Sequence, residues 1–133
     1  MAEPFVIEVV SADRLVFEGR AVNVIVRTTE GDIGILPGHE PLIAVLVPCA
    51  AEIVTDDGRR EVIAVDGGFM SVSAGRVSLL SQFATLAGEI TPTQAQRELD
   101  HLQRVIDAGD HTDEDVHRMH IATAQLKAVE KST

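Results

Sequence analysis

The residues of this chain that could do chemistry are few and scattered. It holds five histidines and a single cysteine, with 21 Asp and Glu. His39 stands in Pro37-Gly38-His39-Glu40-Pro41, and Asp66 stands beside Gly67-Gly68. Together they would form an acid–base pair, but no nucleophile motif accompanies them, so the small-hydrolase reading lacks its attacking group. His117 and His120 are three apart, with Asp113 and Glu114 upstream. That spacing is not His-Glu-x-x-His and no third ligand is evident, so solvated histidines on a helix face are expected rather than a metal site. Cys49, in Pro48-Cys49-Ala50-Ala51, has no flanking cation to favour the thiolate. One cysteine forms no internal disulfide and no multi-cysteine zinc site, so it reads as a small buried hydrophobe. The sequence therefore predicts no catalytic residue, no metal site and no cofactor.

One stretch carries a different signal. From Glu30 to Leu42 the chain reads Glu-Gly-Asp-Ile-Gly-Ile-Leu-Pro-Gly-His-Glu-Pro-Leu. Gly31 and Gly34 admit backbone angles closed to other residues, while Pro37 and Pro41 fix their own and remove amide donors. Ile33, Ile35 and Leu36 anchor the segment. A loop so constrained presents a fixed surface, although the same residues also serve ordinary strand connections.

Composition narrows the partners. A length of 133 residues leaves room for one domain or one with a small appendage, and 45% hydrophobic residues suffice for a core. Trp and Tyr are absent and the formal net charge is −10. Base stacking and duplex binding are therefore disfavoured, and partners should be neutral or basic. The start has no basic segment of a signal peptide, and the longest apolar run, 42–51, is interrupted by Pro48 and too short to cross a bilayer. A soluble, intracellular protein is expected.

Two kinds of element must carry these residues. From 5 to about 83, short Val- and Ile-rich runs are cut by turn signals, predicting an antiparallel β-sandwich. Strands are expected at 5–10, at 15–18 up to a stop at Gly19, and along Val22, Val24 and Val26. Hairpins are expected around Asp56-Asp57-Gly58 and Ala74-Gly75-Arg76, and Gly67-Gly68 marks a strand start or bulge. Ile63 and Val65 are apolar on one face and Val62 and Ala64 on the other, so the second face awaits a partner. After Gly88 the period changes. Thr91 caps a helix with Pro92 at its first position and Gln94 reaching back; Ala95, Leu99, Leu102 and Ile106 then line one face. Gly109 ends it. Thr112 with Asp115 opens a second helix, lined by Val116, Met119, Ala122, Leu126 and Val129. The expected organisation is a β-sandwich over 1–88 followed by an antiparallel α-helical hairpin over 89–133, the hairpin being either permanently packed or a movable arm.

The run from Gly31 to Leu42 resembles the signature loop of the epsilon subunit of bacterial F-type ATP synthase, Gly-x-x-Gly-Ile-Leu-Pro-Gly-His-x-Pro-Leu, at every fixed position. Asp66-Gly67-Gly68-Phe69 resembles that family's paired-glycine strand, and Ala124-Gln125-Leu126-Lys127-Ala128-Val129-Glu130 the end of its last helix. The resemblance implies a non-catalytic rotor subunit of the central stalk, coupling proton translocation to ATP synthesis at the cytoplasmic face of the membrane. Its implied partners are the gamma subunit and the c-ring, and the alpha and beta catalytic subunits where the hairpin extends and inhibits ATP hydrolysis. Asp32, Ile33 and Gly34 would meet the c-ring loops; His39, Pro41, Leu42 and Ile43 would lie at the gamma contact. Some members bind ATP through Ile-Asp-x-x-Arg-Ala. Here the run is Ile90-Thr91-Pro92-Thr93-Gln94-Ala95. Two charged partners are missing, a loss of roughly 3–6 kcal/mol, or about two to four decades of affinity. ATP binding below millimolar concentration is therefore not expected. A stand-alone β-sandwich adapter with a partner-binding hairpin is the competing reading.

Overall fold

The computed structural model describes residues 3–132. The strands come first: β1 (Phe5–Val10), β2 (Leu15–Thr28), β3 (Gly31–Ile35), β4 (Leu42–Thr55), β5 (Arg60–Ser73), β6 (Arg76–Leu80) and β7 (Ala84–Leu86). A 3-10 turn, Ala87–Glu89, leads to α1 (Pro92–Asp107) and α2 (Asp113–Ser132). The strand order is β1-β6-β5-β4-β2-β3, with β7 added on β5 and β1 also paired to β2. That last pairing turns the sheet back on itself, because β2 pairs with β1 through its first half and with β3 and β4 through its second. The enclosed core is aliphatic: Ile7, Ile53, Ile63, Met70 and Leu79 are fully buried. Only β1 and β6 run parallel among these pairs.

The expected hairpins are present. Asp56-Asp57-Gly58 joins β4 to β5, with Gly58 at φ +87°. Ala74 and Gly75, at φ 35° and 81°, make a two-residue turn whose handedness matches the twist of β5 and β6. Gly19 does not stop a strand, however. β2 runs through it, paired to Ile7, and the Phe17 ring occupies the side where a Cβ would stand, 3.4 Å away. Glycine here accommodates an aromatic ring rather than a turn.

A matched irregularity in β4 and β5 shapes the outside. In β4, Leu46 faces the core and so do Cys49, Ala51 and Ile53. In β5, Ile63 and Val65 face it, and then Met70 and Val72. Each step from one set to the other is an odd number of residues, so each strand shifts phase once. The shifts coincide, since Leu46 pairs with Gly68 and Pro48 with Asp66 while Val47 and Gly67 are skipped. Gly67-Gly68 thus lies inside a long strand, not at its start. The backbones crowd there: a Cβ on Gly68, at φ +103°, would sit 2.0 Å from the carbonyl oxygen of Leu80. The corner divides the outer face of β4 and β5 into two halves.

The helices close one half. α1 begins with Pro92 as expected, but Thr91 makes no side-chain cap bond, so the predicted capping by Thr91 and Gln94 is absent. Thr112 and Asp115 do cap α2 reciprocally: Asp115 Oδ2 accepts from the Thr112 amide at 3.0 Å and Thr112 Oγ1 from the Asp115 amide at 3.2 Å. Gly109, at φ +81°, ends α1. Leu102 and Ala95 are buried in the helix–helix seam. α2 carries a second stripe that a single-face reading passes over. His117, Ile121, Ala124, Ala128 and Lys131 recur at steps of four, three, four and three, and the central alanines lie on the sandwich.

Candidate partner-docking surfaces

One half of the outer sheet face is covered by the chain itself. There Ala50, Val62 and Ala64 meet Ala124 and Ala128 of α2, with Ala87 and Ile90 at the margin. The apolar face expected to await a partner is thus closed, on this half, by the chain's own hairpin. Alanine against alanine brings backbone close to backbone but buries little side-chain area. Ionic contacts pin the two ends of the seam. At one, Glu52 accepts from Arg60 and from Lys131, the latter at 3.3 Å, and Arg60 also donates to the Lys131 carbonyl at the end of α2. The Arg60 guanidinium, then the Lys131 ammonium, hold the Glu52 carboxyl below its usual range against the opposing effect of burial.

At the other end His117 Nε2 lies 3.1 Å from Asp66 Oδ2. The Asp66 side chain is only 5% exposed. It is held by the Ser81 hydroxyl at 2.5 Å and the Phe83 amide at 3.1 Å, both donating to Oδ1. His117 is therefore not the freely solvated histidine that the sequence predicts, whereas His120 is exposed. Asp66 and His39 do not share a hydrogen bond; His39 Nδ1 lies 2.7 Å from the Glu40 carbonyl oxygen. Among the described residues no group of three or more His, Cys, Asp or Glu could hold a metal ion.

The other half of the face is open. Ile43 is 77% exposed, and Val45, Phe69 and Leu80 are about half exposed. Val45 pairs with Phe69 and Phe69 with Leu80, so three side chains line up across β4, β5 and β6. Ile43 extends the row two residues along β4 on the same face. The segment singled out from the sequence leads into this row. His39 and Pro41 are exposed, and a turn closed by the His39 amide on the Leu36 carbonyl at 3.1 Å, with Gly38 at φ +84°, delivers them to β4. Leu42 turns inward against the core and anchors the start of the strand. Sequence reasoning misses Val45, Phe69 and Leu80. Their signal is weak in a sequence, because exposure follows from the phase shift at the corner.

Asp32, Ile33 and Gly34 lie elsewhere, on the edge strand β3, whose Gly31 has φ +113° while Gly34 needs no positive φ. The constrained loop expected there is half strand. Ile33 packs toward the core and Asp32 points to solvent. Arg27 Nε donates to Asp32 Oδ1 at 2.8 Å across the β2–β3 pair, and this holds the Asp32 carboxyl below its usual range. The predicted residues thus form two separate exposures: a charged sheet edge and an apolar row.

The family description "ATP synthase, Delta/Epsilon chain, beta-sandwich domain" matches residues 4–87. The chain belongs to the ATP synthase delta/epsilon family. It is similar to the ATP synthase epsilon chain of Cutibacterium acnes, 50% identical over 133 residues that cover 94% of this chain and 91% of that one. The epsilon chain of Streptomyces coelicolor is 40% identical over 128 residues, covering 96% and 97%. The fold also resembles a chain in the Euglena gracilis mitochondrial ATP synthase OSCP/F1/c-ring structure, with a TM-score of 0.71 at 21% identity, covering 98% of this chain and 79% of that one. A chain of the Tetrahymena thermophila central stalk and c-ring structure follows at TM-score 0.56 and 14% identity, covering 96% of each. A delta/epsilon chain is non-catalytic. Among the described residues no helix is long and apolar enough to cross a membrane.

Proposed function

We propose that the protein is a rotor subunit of an F-type ATP synthase, coupling proton translocation to ATP synthesis through contacts with the gamma subunit and the c-ring. The observation that carries this reading is the uncovered apolar row. Ile43, Val45, Phe69 and Leu80 expose large side chains side by side on a rigid sheet, while the rest of the same face is closed by α2. A partner that covers the row removes this surface from water. His39 and Pro41 border it and Leu42 fixes its start, so this is the gamma-facing surface. Asp32, with Ile33 and Gly34, presents a carboxylate on the sheet edge, suited to a basic polar loop of the c-ring. The names of the similar chains and the stalk and c-ring assemblies that share the fold support this assignment.

In this reading residues 1–88 form the docking domain and residues 89–133 the regulatory arm. The protein is then peripheral, at the cytoplasmic face of the membrane, and touches the bilayer only through the complex. An arm released from its alanine seam would reach the alpha and beta catalytic subunits and restrain ATP hydrolysis. Thr91 and Gln94 leave its ATP-binding run without the charged pair, so the isolated chain does not bind ATP below millimolar concentration.

The test is co-purification with the gamma subunit. A one-to-one complex is expected, and Phe69→Glu, which places a charge in the middle of the row without touching the core, should abolish it. A Phe69→Glu variant that still forms the complex would remove the apolar row from the interface. Failure of the unaltered chain to bind gamma would leave the stand-alone adapter.

A further inference from the structure

A cleft of about 340 Å³ opens between the sandwich and α2, on the side away from the apolar row. Its origin is a gap in the β2–β4 ladder. Thr28 pairs with Leu46 and Ile25 with Glu52, so the five residues of β4 from 47 to 51 lie opposite only Val26 and Arg27. Pro48 sits in that gap and has no amide to donate. The slack lets β4 bow away from β2. Cys49 Sγ lies 4.0 Å from the Arg27 carbonyl oxygen, and burial pushes its thiol up, so this wall is neutral. Ile25, Pro48, Cys49 and Ala124 supply the apolar walls.

The rim has the opposite character. Arg27, Lys127 and Lys131 line it, against one carboxylate, Asp32. The chain as a whole carries 21 acidic and 11 basic side chains, so three cations around one cleft run against its composition. Arg27 and Asp32 pair with each other, and Lys131 reaches Glu52 at the end of the seam. Lys127 is not needed for either clip, and its charge is felt at Asp32.

We propose that this cleft is a binding site for a small organic anion: a compact apolar body between β4 and α2, with its charged group at Lys127. A site of this volume lies at the small end of ligand pockets. Apolar walls with cations at the mouth suit such an amphiphile better than a fully hydrated ion, which would have to lose water to enter. Because one wall belongs to the sandwich and the other to the arm, the ligand binds only when α2 is docked. It then raises the ratio of docked to released arm by one plus its concentration over its dissociation constant, or about a hundredfold at a hundred times that constant. The site is independent of whether the protein contacts gamma.

The probe is 8-anilinonaphthalene-1-sulfonate, an apolar ring system bearing one sulfonate, titrated into the full chain with its fluorescence as readout. One saturable site is expected. Lys127→Glu should weaken it by about tenfold or more, the scale of one charged contact, while Lys127→Arg retains it. Thr123→Phe fills the mouth from the exposed side of α2 and should remove binding with no change in the melting temperature. Phe69→Ser, on the apolar row, should leave the cleft signal intact, and saturating probe should slow amide exchange in α2. Absence of saturable binding overturns the proposal. So does binding that survives both Lys127→Glu and Thr123→Phe, or binding lost in Phe69→Ser.

Discussion

Replacing Ala128 by Asp separates a releasable arm from a permanently packed one. Ala128 is 0% exposed and lies among Ala50, Val62, Ala64 and Ala124. Four alanine methyls and one valine in that cluster are worth about 5 kcal/mol of gross apolar burial, an upper figure before the arm's ordering entropy is counted. The clips at Glu52 and Asp66 add little. Their arm-side partners Lys131 and His117 are 43% and 42% exposed while the carboxylates are only 15% and 5% exposed, and such half-screened pairs contribute about 1 kcal/mol each. An unpaired carboxylate held in the seam would cost several kcal/mol, as much as docking provides. The arm should therefore leave the sheet rather than keep the introduced carboxylate buried.

The assay is hydrogen exchange read by segment. Amides of α2 should exchange at least about tenfold faster in Ala128→Asp, the factor that corresponds to about 1.4 kcal/mol, while β4 and β5 keep their protection. Thr123→Asp is the control. It introduces the same acidic side chain on the same helix, with a propensity cost of under about 1 kcal/mol, but at the solvent-open mouth of the cleft rather than in the alanine seam. Unchanged protection of α2 in Ala128→Asp would refute the reasoning. Parallel loss of protection in β4 and β5 would refute it too, since the arm would then be part of one cooperative unit with the sandwich.

Other consequences are as direct. Gly68→Ala forces a Cβ to within 2.0 Å of the Leu80 carbonyl oxygen at a φ of +103°, so a loss of roughly 3 kcal/mol or more is expected in a denaturant titration; a loss below about 1 kcal/mol would show that β6 yields freely. Folding lowers the Glu52 carboxyl's affinity for protons. Arg60, on the same sheet, supplies the largest part of that lowering and stays with Glu52 when the arm leaves; only the part due to Lys131 belongs to docking, and it is present above the ordinary carboxylate range and lost as pH falls through the depressed value. Protection factors of α2 amides, with the intrinsic pH dependence of exchange divided out, should fall across that acid window, and Glu52→Gln should flatten that dependence. Asp32→Arg breaks the pair with Arg27 and reverses the charge of the sheet edge, so ATP-driven proton pumping by the reconstituted enzyme should fall; unchanged pumping would remove Asp32 from the c-ring contact.

Much of this protein is written in local rules. The alternation in 5–10, the Asp56-Asp57-Gly58 and Ala74-Gly75 turns, Pro92 at a helix start and Thr112 paired with Asp115 each depend on backbone angles and neighbours a few residues away. Such features can be read in one dimension. The 31–42 motif likewise marks the family and leads to a real surface. The same local reading misplaces Gly19 and Gly67-Gly68, because their roles depend on the Phe17 ring and on the Leu80 carbonyl brought there by folding.

Which half of the outer sheet is covered, and which is left open, is a matter of pairing. The phase shifts at Val47 and Gly67 coincide only because β4 and β5 lie side by side, and together they turn Val62 and Ala64 toward α2 but Phe69 toward solvent. His117 meets Asp66 across 51 positions of chain, and Lys131 meets Glu52 across 79. Burial and ion pairing belong to two surfaces at once, so a single strand of text holds each half of them but not their meeting.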